Sequence, residues 1–334
     1  MRPPITLRIS VILASAMVCL LAAHAELQAE RAFETSNISA IIDADSTGGN
    51  GANNGLHDQF RVLLNGADVQ VYIDGNLSQS YVLSSLDTLT IEGSGDDDAL
   101  IVDFGQGNPV PSGGLSYNGL GNSSVGDTLK LTDGSFASVS HKYFSSSAGA
   151  IDLDGSIITY TGLEPVIDLV PATTLTVNGT NAHNAITYSQ GSVASNGLVA
   201  VDNFETIEFS NKTNLVINGQ GGNDDIVINN AATPTNLASI TVNCENGDDS
   251  VYVAFESPVN ITINGDEGDD VFKVHPSSNA VIQVNGGNHV IADKLHVNRH
   301  RSPMRLRRYM TDIYSRDYMN IPYTDIERFD FHAK

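Results

Sequence analysis

The sequence predicts an all-β fold, a parallel β-helix or β-solenoid of roughly 21–25-residue coils, with a short C-terminal amphipathic helix. A short strand that ends in Asn recurs four times, with its last apolar residue at Ile217, Val242, Ile263 and Val284, so the steps are 25, 21 and 21 residues. Three of the copies continue into an acidic Gly/Asp turn and a second β-rich segment. Repeats of this length, built of short strands and Gly/Asp corners, are typical of stacked coils rather than of a globule.

Fainter copies of the unit extend the repeat towards the N-terminus. One has Glu92 in the place of the Asn, and another has His183 and Asn184 where the acidic pair is expected. We expect the corner asparagines to stack into an amide ladder that satisfies backbone groups inside the solenoid. They are Asn178, Asn218, Asn243, Asn264 and Asn285. Cys244 occupies a Gly position at one corner, so we expect it to be buried or in a strained turn rather than reactive.

The acidic turns contain the candidate site residues. Written as Gly-x-Asp-x-apolar, they place four carboxylates at equivalent positions of different coils, each with an acidic neighbour. The four are Asp97, Asp224, Asp249 and Asp270, and the neighbours are Asp96, Asp98, Asp225, Asp248 and Asp269. Coils of a solenoid stack about 4.8 Å apart. Like charges at that distance repel by roughly 1 kcal/mol in water and by more near a protein surface.

A column of stacked carboxylates persists only if the side chains spread into solvent, take up protons or share cations. Ca²⁺ suits the last role, because it takes six to eight oxygen ligands in a flexible geometry. The turns therefore predict calcium as the cofactor. Gly-Asp-Asp is also ordinary turn chemistry, so a solvated and metal-free turn stays open as the alternative.

The acidic turns resemble the RTX, or hemolysin-type calcium-binding, repeat, whose pattern is Gly-Gly-x-Gly-x-Asp-x-apolar-x. The second half of that pattern matches at residues 222–226, 247–251 and 268–272, whereas the first half lacks one or both glycines. RTX nonapeptides run in tandem, but here the turns lie 21 to 25 residues apart, one per coil. The resemblance implies Ca²⁺ bound at the turn aspartates. The rest of the chain resembles large bacterial exported repeat proteins in its composition.

The chain divides into five segments. Residues 1–25 have the basic, apolar and small-residue parts of a signal peptide, which predicts a secreted protein, extracellular or on the cell surface. We expect a Gly/Asn-rich flexible leader at 26–56, an irregular N-terminal β-solenoid region at 57–170 and regular repeats with acidic turns at 171–298. Residues 299–334 are expected to form a basic helix and a terminal strand, as an end cap or a truncated coil. The chain as a fragment of a larger protein and a natural terminus within a coil both stay open.

The C-terminal helix is predicted from a start signal and an apolar period. Ser302 offers an N-cap and Pro303 follows at the first helical position. Apolar residues then recur at helical spacing, at Leu306, Tyr309, Met310, Ile313 and Tyr314. A basic cluster lies in the same region and comprises Arg299, Arg301, Arg305, Arg307 and Arg308. We expect this helix to cover the open end of the coil stack, whose edge would otherwise recruit other strands.

Charge narrows the range of partners. The net charge is −22, and 34 of the 39 acidic residues lie between Glu26 and Asp293, against six basic residues in that range. A body this acidic argues against nucleic acid, because phosphates would be repelled. Apart from the signal, no segment is long and apolar enough to span a membrane. The expected partners are calcium ions and either cell-surface polysaccharide or other copies of the chain.

The motifs favour a non-enzymatic function. The sequence contains no nucleophile elbow, no phosphate-binding Gly loop and no His-Glu-x-x-His, and His289, His296 and His300 are interpreted as loop histidines rather than a zinc set. We expect an exported, calcium-binding structural or adhesive repeat protein of a surface or matrix. One alternative is a metal-free structural solenoid. The other is a parallel β-helix enzyme, a lyase or hydrolase of acidic polysaccharide, with a base from the basic cluster.

Overall fold

The computed structural model describes residues 38–49, 51–121, 126–299, 307–314 and 317–333. Over these ranges the chain forms twenty-eight β-strands and one short 3₁₀ segment, Leu83–Ser85. The predicted signal peptide and the first part of the predicted leader lie outside them. In chain order the first fourteen strands are β1 Ile38–Asp43, β2 Gln59–Asn65, β3 Asp68–Ile73, β4 Asn76–Val82, β5 Leu86–Glu92, β6 Ala99–Asp103, β7 Leu115–Asn118, β8 Thr128–Thr132, β9 Phe136–Ser145, β10 Ala148–Leu153, β11 Ser156–Thr161, β12 Val166–Asp168, β13 Ala172–Asn178 and β14 Ala185–Gln190. The second fourteen are β15 Gly197–Val201, β16 Ile207–Phe209, β17 Lys212–Asn218, β18 Asp225–Asn229, β19 Ser239–Asn243, β20 Ser250–Val253, β21 Asn260–Glu267, β22 Val271–Val274, β23 Ile282–Asn288, β24 Lys294–Arg299, β25 Arg307–Arg308, β26 Asp312–Tyr314, β27 Ile321–Thr324 and β28 Arg328–Ala333.

The strands form two sheets of fourteen strands each. Sheet A has the order β1-β5-β7-β11-β10-β9-β13-β17-β19-β21-β23-β27-β26-β25. Sheet B has the order β28-β24-β22-β20-β18-β14-β15-β16-β12-β8-β6-β2-β3-β4. From β17 to β24 the chain alternates between the sheets, so each coil contributes one strand to A and one to B. The fold is therefore the predicted β-solenoid.

Register in the regular part follows the sequence repeat. The corner Asn of each sheet A strand pairs with the corner Asn of the next, from Asn218 through Asn243 and Asn264 to Asn285. The apolar residue before each of these is buried, as are the facing residues Ile226, Val251, Phe272 and Leu295 of sheet B. Strand residues alternate between two faces. Each coil thus adds apolar side chains from both strands to one continuous core.

Before residue 212 three antiparallel meanders interrupt the parallel stacking, and they explain why the repeat is faint there. In chain order they are β2–β3–β4 in sheet B, β9–β10–β11 in sheet A and β14–β15–β16 in sheet B. Each meander adds two strands to its sheet. The second and third meanders lie in opposite sheets, so each of these sheets gains two strands from them. The segment 171–298, expected to be regular throughout, contains the third meander and becomes regular only from β17.

The predicted C-terminal helix is wrong for the residues that the structure describes. Residues 307–314 instead form β25 and β26, which continue sheet A antiparallel from β27. Ile313 is buried in this arrangement, whereas Tyr309 and Met310 are exposed. An isolated helix of this length is marginal in water. The open edge of β27 offers backbone hydrogen-bond partners that outweigh the local helical pattern.

The predicted leader also contains an ordered strand. Residues 38–43 form β1, which pairs in parallel with β5 at the edge of sheet A. Ala40 and Ile42 are buried, and Ile41 between them is exposed. This alternation is the period-two pattern of a half-buried strand. Among the described residues no helix is both long and apolar enough to cross a membrane.

Candidate functional site

We use "acidic corner" for the segments that lead from sheet A to sheet B in four successive coils, residues 219–224, 244–249, 265–270 and 286–293. Backbones stack closely there. The N–H of Gly247 donates to the carbonyl oxygen of Glu267 at 2.8 Å, and the N–H of Gly268 donates to that of Asn288 at 2.8 Å. Gly268 has a φ of +142°. A Cβ on Gly268 would lie 1.8 Å from the carbonyl oxygen of Gly247, so only glycine permits this spacing.

An inner column of buried aspartates runs along the acidic corner, one directly before each strand of sheet B. It consists of Asp224, Asp249, Asp270 and Asp293, each at most 2% exposed. The backbone N–H of each of the first three donates to Oδ1 of the next, at 2.6 Å from Asp224 to Asp249 and at 2.8 Å for the two following steps. At the start of the column, the N–H of Asn184 donates to Oδ1 of Asp224 at 2.8 Å. One oxygen of every carboxylate thus cross-links neighbouring coils.

The second oxygen of each inner-column aspartate accepts no hydrogen bond within the described chain. This oxygen, Oδ2 of Asp224, Asp249, Asp270 and Asp293, is buried in each case, and that of Asp293 lies 3.6 Å from Nδ1 of His289. Oδ2 faces the residue that follows the corner Asn: a Cβ on Gly265 would lie 2.3 Å from Oδ2 of Asp270. Three of the four coils have Gly at this position, and the fourth has Cys244, which is buried as predicted.

Burial dominates the protonation of this column. It raises the pKa of Asp249 to about 7 and that of Asp270 to about 8, although the backbone N–H bonds to the two carboxylates pull the other way. Burial likewise raises the pKa of Asp224 and of Asp293. A carboxylate with one unpartnered buried oxygen favours its neutral form. Asp249 and Asp270 can therefore hold a proton near neutral pH.

A shorter column of the same kind lies towards the N-terminus. The N–H of Asp58 donates to Oδ1 of Asp98 at 2.7 Å, and the N–H of Asp98 donates to Oδ1 of Asp127 at 2.6 Å. Burial raises the pKa of Asp127 to about 7. Asp98, rather than the predicted Asp97, is thus equivalent to Asp224, because Asp98 directly precedes its sheet B strand. Asp97 instead accepts from the N–H of Gly126 at 3.3 Å.

The remaining predicted site residues lie outside the inner column. An outer column consists of the exposed Asn223 and Asp248 and the half-buried Asp269, joined by N–H to Oδ1 bonds of 3.1 and 2.9 Å. Asp225 is exposed at the start of β18. Asp96 accepts from the N–H of Gly55 at 3.1 Å. The structure therefore brings Asp224, Asp249 and Asp270 together with Asp248 and Asp269 alongside, and leaves Asp96, Asp97 and Asp98 at a separate N-terminal corner.

The sequence analysis missed three inner positions: Asp58, Asp127 and Asp293. None belongs to a Gly-Asp-Asp turn. Each is followed by one residue and then by a buried apolar residue, Phe60, Leu129 or Leu295. A search for Asp-x-apolar at the start of every second strand could have found them.

The predicted stacking of the corner asparagines into an amide ladder is confirmed, whereas the expected bond to a backbone group is found for Asn178 among the five. The Nδ2 of Asn218, Asn243, Asn264 and Asn285 each donates to Oδ1 of the preceding corner Asn, over 2.7 to 2.9 Å. The first asparagine, Asn178, donates to the carbonyl oxygen of His141 at 3.0 Å. Thr324 donates from its Oγ1 to Oδ1 of Asn285 at 3.0 Å and takes the place of a further Asn. A neutral ladder therefore runs parallel to the acidic column.

The structure describes the side chains of two residues of the basic cluster, Arg307 and Arg308. Arg307 is exposed. The guanidinium of Arg308 lies 3.7 Å from the ring centre of Phe329, and its Nε donates to the hydroxyl of Tyr323 at 3.1 Å. These contacts are those of a side chain that packs strands β25, β27 and β28 together.

The chain matches no protein-family model and no curated protein. The resemblance to the RTX repeat therefore stays a prediction that rests on the residues of three turns.

Proposed function

We propose that this chain is an exported, non-enzymatic structural repeat protein whose coils are locked by Ca²⁺ along the acidic corner. Its role would be that of an adhesive or spacing module at a surface or in a matrix. The observation that carries the proposal is the inner column, in which Asp224, Asp249, Asp270 and Asp293 each keep one buried carboxylate oxygen without a hydrogen bond. A buried charge of this kind is costly unless it is neutralised.

The spacing of the coils suits calcium. Equivalent atoms of adjacent coils are about 4.8 Å apart. An ion midway between two equivalent oxygens would lie about 2.4 Å from each, within the Ca–O range of roughly 2.3–2.6 Å. The exposed carboxylate of Asp248, the half-buried one of Asp269 and water could complete six to eight ligands. One ion per step would cancel the repulsion along the column.

The expected signal peptide implies that the chain is exported, and export would change the Ca²⁺ concentration around the acidic corner. Where Ca²⁺ is scarce, the carboxylates repel one another or hold protons. Where Ca²⁺ is abundant, binding to the folded state alone stabilises that state by mass action. Calcium would thus couple completion of the fold to export.

A metal-free structural solenoid is the second candidate, and the protonation of the column favours it. Because burial raises the pKa of Asp249 to about 7 and that of Asp270 to about 8, protons can neutralise these two members of the column near neutral pH. The amide ladder and the backbone bonds then hold the coils together without an ion. The polysaccharide-active enzyme gains no support from Arg308, which packs on Phe329.

A thermal melt of residues 26–334 by circular dichroism separates the two candidates. The midpoint is measured at pH 8 with millimolar Ca²⁺ and with excess EGTA, for the unmodified chain and for Asp249→Asn with Asp270→Asn. The matched control is Asp74→Asn with Asp152→Asn, two exposed aspartates of the meanders, the first in a turn and the second in β10. The calcium proposal expects a Ca²⁺-dependent rise that the corner variant loses and the control keeps. An unchanged midpoint in the unmodified chain would overturn it and leave the metal-free solenoid.

A further inference from the structure

The fourth acidic corner departs from the other three. Between its Gly and its inner aspartate it has two more residues than the third corner, since Gly286 precedes Asp293 by seven positions and Gly265 precedes Asp270 by five. The extra length forms a loop that brings His289 against Asp293. A local break in an otherwise regular repeat often marks a functional position.

Three potential metal ligands meet at this loop. The Nδ1 of His289 lies 3.4 Å from Oε2 of Glu327 and 3.6 Å from Oδ2 of Asp293. All three donor atoms lie within 4.8 Å of one another. In a tetrahedral zinc site with bonds of about 2.0–2.1 Å, donor atoms are about 3.3–3.4 Å apart. The distances from Nδ1 of His289 to the two carboxylate oxygens are close to this donor-to-donor distance.

The buried carboxylate of Asp293 is aimed at this cluster. Its side chain is fully buried, and its Oδ2 accepts no hydrogen bond within the described residues. Its Oδ1 is held by the N–H of Asp270 at 2.8 Å, so the second oxygen points towards the imidazole of His289. The N–H of Asp293 in turn donates to Oε2 of Glu327 at 2.9 Å and orients the second carboxylate.

The loop that carries His289 is held in place by the outer column. Oδ1 of Asp269 accepts from the N–H of Val290, Ile291 and Ala292 at 2.9, 2.6 and 3.1 Å. Three backbone bonds to one carboxylate oxygen fix the loop next to the ligand. The ligands are thus positioned by neighbouring hydrogen bonds before any ion arrives.

We propose that His289, Asp293 and Glu327 form a binding site for a divalent transition metal of the zinc class, with water as the fourth ligand. The imidazole is the distinguishing donor. Calcium and magnesium take oxygen ligands, whereas zinc, nickel and copper accept imidazole nitrogen together with carboxylate. Glu327 lies between β27 and β28, so the ion ties the terminal strands of both sheets to the fourth corner. The site shares Asp293 with the end of the inner column, so the calcium positions separate from it are those along the steps from Asp224 to Asp270.

Zinc titration of residues 26–334 tests this site. Binding of Zn²⁺ is measured by calorimetry and by competition with a chromogenic chelator, in the presence of millimolar Ca²⁺. We expect one tightly bound Zn²⁺ per chain. His289→Gln and Glu327→Gln should each weaken it by more than the roughly 10- to 100-fold that loss of an orienting partner costs. The matched control is His296→Gln, since the imidazole of His296 faces Asp330 on the adjacent strands at 3.6 Å.

Circular dichroism without metal shows whether each variant keeps its fold, and Gln at position 327 retains an oxygen for the N–H of Asp293. The proposal is overturned by absence of saturable Zn²⁺ binding, by full affinity in His289→Gln, or by an equal loss in His296→Gln. Displacement of Zn²⁺ by Ca²⁺ would likewise overturn its assignment as a transition-metal site. These outcomes are independent of the calcium melts, because Ca²⁺ is present throughout.

Discussion

The backbone N–H of Asp249 donates a 2.8 Å hydrogen bond to Oδ1 of Asp270 in the next coil, and both carboxyl groups are buried. Oδ1 of Asp270 thus cross-links two coils, whereas Oδ2 of the same carboxyl group is buried without a hydrogen bond. We therefore expect the stability of the solenoid to depend on the protonation of the acidic corner.

Asp270→Asn should stabilise the metal-free protein at pH 8. The amide keeps an oxygen for the N–H of Asp249, and Asn184 already stands at the start of the column. Removing a carboxylate whose pKa burial raises to about 8 should increase the free energy of unfolding by about 1–3 kcal/mol, after the cost of a buried amide N–H. Urea unfolding in EGTA measures it.

Asp269→Asn, one residue earlier in the chain, is expected to have the opposite effect to Asp270→Asn. Asp269 is half-buried, and three backbone N–H groups, with that of Ile291 first, lower the pKa of its carboxyl group. Its ionised form therefore stabilises the loop, so the amide should destabilise the protein. A shift in the same direction for both variants would contradict the distinction between inner and outer columns.

Metal-free stability should fall as pH rises from 5 to 8. Burial raises the pKa of Asp127 and Asp249 to about 7 and of Asp270 and Glu205 to about 8. The folded state then binds more protons than the unfolded chain, whose carboxyl groups titrate near pH 4. The stability that these protons provide is complete below about pH 4 and is lost as pH rises through 7 to 8. Urea unfolding across this range in EGTA should show the decline, and a flat or rising profile would contradict it.

Asn243→Ala should weaken the amide ladder. Asn243 donates to Asn218 at 2.9 Å and accepts from Asn264 at 2.8 Å, so alanine leaves two neighbouring amides short of a partner. We expect a loss of about 2–4 kcal/mol from two unmet hydrogen bonds. Asn229→Ala, an exposed Asn at the end of β18, is the matched control and should cost little. Equal midpoints in urea for both variants would show that the ladder contributes nothing.

Gly268→Ala should disrupt the close stacking of the acidic corner. Its Cβ would meet the carbonyl oxygen of Gly247 at 1.8 Å, so the two coils would have to separate. Gly75 also has a positive φ, +80°, but a Cβ there meets nothing within 4 Å. Gly75→Ala should therefore cost only about 1 kcal/mol of backbone strain, whereas Gly268→Ala should cost several times more in thermal or urea unfolding. If the two variants lost similar amounts of unfolding free energy, the loss would come from backbone conformation and not from the stacking of the coils.

Lys212→Met should be strongly destabilising. The Nζ of Lys212 lies 2.8 Å from Oδ1 of Asp168, both side chains are fully buried, and the carbonyl oxygen of Val170 accepts from the same Nζ at 2.5 Å. Removing one partner of a buried pair costs about 3–5 kcal/mol. Arg61→Met breaks an ion pair with Asp103 in which the arginine is exposed, and should cost under about 1 kcal/mol. Adding Asp168→Asn to Lys212→Met should recover part of the loss, and failure to recover any would contradict the explanation.

Periodicity alone was enough to predict the solenoid, the parallel register of the corner asparagines and their ladder. The reason is that coil length equals the sequence step, so equal positions along the repeat become neighbours in space. Burial of Cys244 followed from the same register. The all-β class and the placement of Asp224, Asp249 and Asp270 in one column were accessible for this reason.

Contacts between residues that the 21–25-residue repeat does not relate could be identified only from the tertiary structure. Asp98 rather than Asp97 lies in the N-terminal column because the start of β6 sets the register, and Asp58 and Asp127 join it from turns with no acidic repeat. The residues predicted as a C-terminal helix pair with β27, since an open sheet edge supplies hydrogen bonds that a short isolated helix lacks.

The sequence by itself determined the repeat, the acidic charge of the corner and the identity of the laddered side chains, because each is a local or strictly periodic property. The tertiary structure decided which carboxylates are buried, which oxygen of each is unpartnered and which distant residues meet. His289 and Glu327 are separated by 38 positions and no repeat relates them. They come together only because the fourth corner is longer and the chain returns to sheet B beside it.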